Sequence, residues 1–115
     1  MKSKTQTTTQ FCVAMTTHSS LKAAKTMAKT LVQERLVACV NLIPKIVSCY
    51  VWKDKLCEEE EVLLLMKTRK TIFKKLSARI QELHAYEVPE VVCLKLEAGN
   101  AVYLQWVLDR TAAGR

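Results

Sequence analysis

VACVNLIPKIVSCYVW at Val37–Trp52 and EVLLLMK at Glu61–Lys67 decide the fold. Both runs are rich in β-branched, aliphatic or aromatic residues, which suit half-buried strands. Between them KDKLCEEE, Lys53–Glu60, is polar and reads as a turn-like connection. Two long strands around that connection make a hairpin. Pro44 has no N–H for a ladder, so it predicts a bend, a bulge or an edge position within the first strand.

Upstream, FCVAMTT at Phe11–Thr17 is a short apolar run consistent with a buried strand. Ser19 or Ser20 then offers an N-cap. Leu21, Ala24, Met27, Ala28, Leu31 and Val32 follow at helical spacing, with Lys22, Lys25 and Lys29 on the other side. Downstream, Thr68 is a candidate cap for a second helix through Ile72, Leu76, Ile80 and Leu83. Pro89 blocks its continuation. Glu90–Leu96, EVVCLKL, reads as a fourth strand. Asn100 offers a cap for AVYLQWVLD, where Val102, Trp106 and Asp109 share a helical spacing.

The resulting order, β-α-β-β-α-β plus a terminal helix, is the α+β ferredoxin-like arrangement. It is one antiparallel sheet with two helices on one face and a short C-terminal helix. Residues 1–10 read as a flexible, solvated N-terminal tail, 11–112 as a single domain and 113–115 as a C-terminal tail.

Composition excludes several functions. The 115 residues are 50% apolar and 25% charged, enough for one packed core. The longest apolar runs span five residues, far short of the roughly twenty a membrane helix needs, so no membrane partner is expected. Two glycines, Gly99 and Gly114, cannot build a phosphate loop or dinucleotide fingerprint, and no organic cofactor is expected. The net charge of +7 permits nucleic-acid binding. The third strand lacks the aromatic and glycine pattern on which bases stack, and Lys70, Lys74, Lys75 and Arg79 fill an outer helix face. No nucleic acid is expected as a partner. MTTHSS at Met15–Ser20 lacks the cysteine pair of a copper-transfer loop. No local pattern sets a nucleophile beside a base, so no catalytic residues and no enzymatic activity are expected. Five cysteines without a CxxC suggest mostly buried thiols in a reduced, cytoplasmic protein.

HAYEVPE at His84–Glu90 is the densest polar cluster. A histidine with nearby carboxylates can ligate a divalent ion. Equally, His84 can sit at the negative end of the helix dipole, with Tyr86 anchoring the turn. Glu58–Glu61 is a run of four acids beside the hairpin turn, and His18 reads as a loop residue near the cluster. Trp52 and Trp106 are packing groups or trimer-interface candidates.

ERLVACVNLIP at Glu34–Pro44, SCYVWKDKL at Ser48–Leu56, EVLLLMKT at Glu61–Thr68, HAYEVPEV at His84–Val91 and NAVYLQWV at Asn100–Val107 resemble the CutA divalent-cation-tolerance family. The resemblance runs in order over roughly residues 11–110. It implies a homotrimer whose long second and third strands reach neighbouring subunits. It further implies binding of a divalent metal, copper or zinc, and a role in metal homeostasis, with no established reaction.

Some members of the family are thought to hold copper with a cysteine at the end of the first strand and two adjacent histidines after the second helix. By position, these become Thr16 and Leu83-His84 here. The family's proline after the histidine is Ala85, its acidic position before EVLL is Cys57, and its hairpin glycine is Asp54. A metal site in this chain would therefore use His84 with Glu90, or a carboxylate from another subunit. The alternative is a trimeric small-ligand or partner-binding module resembling the PII signalling proteins, in which Lys67, Tyr86, Glu61 and Glu90 line a cleft.

Overall fold

The computed structural model describes residues 9–112; residues 1–8 of the expected N-terminal tail and the whole expected C-terminal tail, 113–115, lie outside the described residues. β1 is Phe11–His18, α1 Leu21–Gln33, β2 Cys39–Trp52 and β3 Lys55–Arg69. After a 3₁₀ turn at Lys70–Ile72 come α2 (Phe73–Leu83), β4 (Val92–Lys95) and α3 (Ala101–Thr111). The strands form one antiparallel sheet in the order β2-β3-β1-β4, the ferredoxin-like order. Already before β1, the carbonyl of Gln10 accepts the N–H of Lys70 at 2.8 Å.

Alternation sorts the side chains of β1 and β3 between two faces. Ala14 joins Val62, Leu64 and Met66 on one face, where Ala24, Met27, Ala28 and Leu31 of α1 and Leu76 and Ile80 of α2 close the core. α1 begins where Ser20 Oγ accepts the N–H of Ala23 at 3.1 Å. It ends in a Schellman motif: Leu36 N–H reaches back to the Leu31 carbonyl, and Arg35 takes the left-handed conformation with φ 63. The opposite face carries Phe11, which packs with Ala38 and with Val107 of α3 in a separate small cluster. Arg69 fastens α3 there: its Nε donates to Thr111 Oγ1 at 3.0 Å and its Nη2 to the Thr111 carbonyl at 2.7 Å.

The hairpin is longer and its turn tighter than expected. Only Lys53 and Asp54 lie between the strands, both at positive φ (52 and 67). Lys55–Glu60, read as connection, pair with β2 as far as Lys55 opposite Trp52. β1 stops at His18 opposite Val62, so beyond that point β2 and β3 project as a two-stranded arm. Pro44 behaves as expected, since β2 is an edge strand and its register shifts between Ile43 and Ile46. The molecule is accordingly elongated, 54 × 26 × 22 Å.

Four local expectations are corrected. Thr68 caps nothing; it lies within β3, and its hydroxyl donates to the Leu36 carbonyl at 2.7 Å, which ties the sheet to the end of α1. The fourth strand is only Val92–Lys95, because the backbone around Pro89 and Glu90 does not enter the ladder. On α3, Val102 is 82% exposed, and the inward side is Leu104, Val107, Leu108 and Thr111. Asn100 stands at the N-cap position but its side chain makes no capping bond.

Candidate functional site

The site lies where the arm leaves the sheet. His18 is not a loop residue: it ends β1, is buried, and its ring stacks on that of His84 with centroids 4.4 Å apart and planes 15° from parallel. His84 caps the C-terminus of α2. Its Nε2 lies 2.6 Å from the Thr17 carbonyl, and its Nδ1 accepts the N–H of Tyr86 at 3.1 Å. That pair of bonds is satisfied by the neutral tautomer with the proton on Nε2. Burial, then the neighbouring His84, holds the His18 imidazole below its usual pKa, with Glu61 acting in the opposite direction.

Tyr86 lies over both rings, and its hydroxyl donates to Glu61 Oε2. Burial followed by that bond raises the phenol above its ordinary range. A second phenol–carboxylate pair stands on the arm, where Tyr50 donates to Glu59 Oε1 at 2.7 Å and is pushed up to about 12 by that bond. Both phenols therefore stay protonated at neutral pH and serve as donors.

These pairs are two walls of one open-sided cleft of about 480 Å³. Its carboxylates are Glu59, Glu61, Glu87 and Glu90, and its rings are Tyr50, Trp52 and Tyr86. The arm supplies Glu59, Glu61, Tyr50 and Trp52, while the loop between α2 and β4 supplies the rest. Thr17 at the base lies opposite Leu63, on the sheet face turned away from α1 and α2.

The structure thus gathers Glu61, Tyr86, Glu90 and Trp52 around one cleft, with His84 behind Tyr86. Lys67 stands elsewhere, its Nζ donating to Asn41 Oδ1. Trp106 lies on α3 against Tyr103, with ring centroids 5.7 Å apart. Tyr50 was not singled out by sequence, and Glu59 and Glu87 entered only within the acid run Glu58–Glu61 and the cluster His84–Glu90. Their signal was the period-2 spacing of Glu59 and Glu61, which needs the strand assignment of Lys55–Glu61 to be read.

The three-ligand set of the family's copper site does not form here. Thr16 is fully buried with no hydrogen-bond partner for its hydroxyl among the described residues, Leu83 is apolar, and both nitrogens of His84 are engaged. Among the described residues no three His, Cys, Asp or Glu side chains converge closely enough to hold a metal ion. What one chain does present is a half-built set of carboxylate and phenol oxygens facing an open side.

Topology and site together define a small α+β domain of ferredoxin-like order with an acidic, aromatic cleft on the sheet face turned away from α1 and α2. The chain matches the CutA1 divalent ion tolerance protein family over residues 12–110 and belongs to it. It is 46% identical over 99 residues to the divalent-cation tolerance protein CutA of Thermus thermophilus, spanning 86% of this chain and 96% of that one. It is 47% identical over 98 residues to the human protein CutA, covering 85% of this chain but 55% of the human one. The crystal structure of CutA1 from Oryza sativa superposes with a TM-score of 0.88 at 37% identity, covering 92% of this chain and 97% of that one.

Proposed function

We propose that this chain serves divalent-cation tolerance as a cytoplasmic homotrimer that holds divalent cations, copper or zinc foremost, at acidic clefts between subunits, and that it binds rather than catalyses. The observation that carries the reading is the concentration of four carboxylates on one cleft in a chain whose net charge is +7. A basic protein repels cations in general, so local acidity is what a cation-binding surface on it requires.

The trimer rests on two surfaces. Val13, Met15, Leu63, Leu65, Val92 and Leu94 line the sheet face away from α1 and α2, and Leu94 is 59% exposed. On the arm Val47, Val51 and Leu56 are bare, Leu56 at 83%. A two-stranded ribbon with apolar flanks is marginal alone and a liability at an edge, and closed symmetric assembly covers both surfaces. A neighbour also supplies the further donors that a cation at the half-built oxygen set would need. Of the five cysteines only Cys12 is buried, against the expectation of mostly buried thiols.

Calorimetric titration of copper and zinc into wild type, Glu61→Gln and His84→Ala tests the site. The reading expects saturable binding that Glu61→Gln weakens at least about tenfold. Identical isotherms for wild type and Glu61→Gln would overturn the cleft as the site. Light scattering is expected to return three times the chain mass of 13.1 kDa; a monomer would overturn the assembly.

A further inference from the structure

The cleft is larger and more apolar than a bare metal ion needs. An ion with its ligands fills a space of the order of a few water molecules, each about 30 Å³. This cleft measures about 480 Å³, the lower range of small-molecule sites. Three aromatic rings, Tyr50, Trp52 and Tyr86, stand among its carboxylates. Rings do not ligate hard cations, but their faces attract organic cations.

Two further observations point to the charge and shape of the occupant. Glu61 is 6% exposed, and the bond to it is from the neutral phenol of Tyr86. Among the described residues no lysine or arginine pairs with it; the ion pairs are Lys53–Glu87, Arg79–Glu34 and Arg79–Glu82. The basic group that senses it is the His18 imidazole, which burial disfavours as a cation. A buried carboxylate without a counter-charge is costly, and a cation entering the cleft relieves that cost. At the mouth, the chain's own Lys53 ammonium lies 5.7 Å from the Trp52 ring centroid and 3.9 Å from Glu87 Oε1. An alkylammonium therefore already fits the geometry of that rim.

We propose that the cleft binds a small aliphatic diamine, one ammonium against Glu61 and Glu59 and the other at the Trp52–Glu87 rim in place of the exposed Lys53 ammonium, which swings into solvent, its methylene chain lying along Tyr50 and Tyr86. This inference rests on the reading of the cleft as a cation site and names the cation as organic. The lining contains no lysine or arginine, and the Lys53 ammonium at the mouth is paired with Glu87, so four carboxylates disfavour an anionic metabolite there.

Titration of 1,4-diaminobutane into the full chain tests the idea, with 1,4-butanediol as the uncharged control and zinc measured in parallel. The diamine is expected to saturate at one per chain and the diol to give no heat. Glu61→Gln and Trp52→Leu are each expected to weaken the diamine at least about tenfold. Should Glu61→Gln fail to fold by circular dichroism, Glu59→Gln on the exposed arm takes its place. In a Trp106→Phe background, Trp52 emission should shift on adding diamine. Diamine binding without zinc binding would uphold this inference and overturn the metal reading. Zinc binding without diamine binding would do the reverse. Equal affinity for diamine and diol, or diamine binding unchanged in the variants, would overturn the inference.

Discussion

The imidazoles of His18 and His84 lie face to face, 4.4 Å between centroids, although they come from the end of a strand and the end of a helix. Two protonated rings at that separation repel, and His18 is also desolvated. Its folded pKa is therefore below the unfolded value of about 6.5. The folded state binds fewer protons than the unfolded chain below that pH, so stability is full above about pH 6.5 and declines as pH falls through 6.5 toward the folded pKa. Urea midpoints at pH 5.5 and 7.5 are expected to differ, the lower pH giving the lower midpoint. His18→Phe keeps a stacked ring without a titrating proton and should shrink the difference. Coincident midpoints in the wild type would refute the assignment.

Thr16 places a hydroxyl in the core opposite Leu64, with no hydrogen-bond partner among the described residues. Such a group loses its hydration and gains nothing in return. Thr16→Val, close in shape, should raise stability by about 1 kcal/mol. A lower urea midpoint for the variant would mean that the hydroxyl is satisfied in solution.

Lys53 and Asp54 hold the two-residue turn of the arm in left-handed backbone that glycine adopts most readily. Asp54→Gly should stabilise the subunit by about 0.5–1 kcal/mol. Thermal melting at fixed protein concentration checks the sign, since association also moves the midpoint. A lower melting temperature would show that Asp54 does something for the turn beyond adopting its φ.

Arg69 holds the last turn of α3 by two bonds to Thr111 and complements the negative end of that helix. Arg69→Met should cost about 1–2 kcal/mol and release the helix end first. Hydrogen exchange would read this as lost protection across Leu104–Thr111 with the sheet unchanged. Uniform loss across β1 and β3 would mean that α3 does not open separately.

Much of the fold was legible because periodicity and burial agree. In α1 the residues at helical spacing, Ala24, Met27, Ala28 and Leu31, are the buried ones. Pro44 marked an irregular edge strand for a reason that is purely covalent. The tip of the hairpin was misread because Lys55–Glu60 has no apolar alternation of its own; its strand conformation accompanies pairing with β2. The face of α3 was misread for a related cause. Val102 and Trp106 are apolar yet turned outward, so hydrophobicity alone could not tell a core face from an uncovered one. The cleft itself joins residues up to 73 positions apart, from Thr17 to Glu90. Sequence offered Tyr86, Glu61 and Glu90 as members, but only the register of β2 against β3 puts Tyr50 and Glu59 beside them.

The irregularity at Pro44-Lys45 carries a consequence of parity. Before it, odd-numbered β2 residues such as Asn41 and Ile43 stand opposite odd-numbered β3 residues; after it, even-numbered Ile46, Ser48, Tyr50 and Trp52 do. One extra residue thus chooses which half of the arm's side chains looks toward Glu59 and Glu61. Deleting Lys45 would remove the bulge and leave Ile46 opposite Glu61, so Tyr50 and Trp52 would keep their side; pairing Lys45 regularly with Glu61 would instead send them to the far side and bring Val47 and Val51 in their place. The chemistry of the cleft is in this sense counted out along the backbone, and one extra residue beside the Ile46–Glu61 pair sets the count.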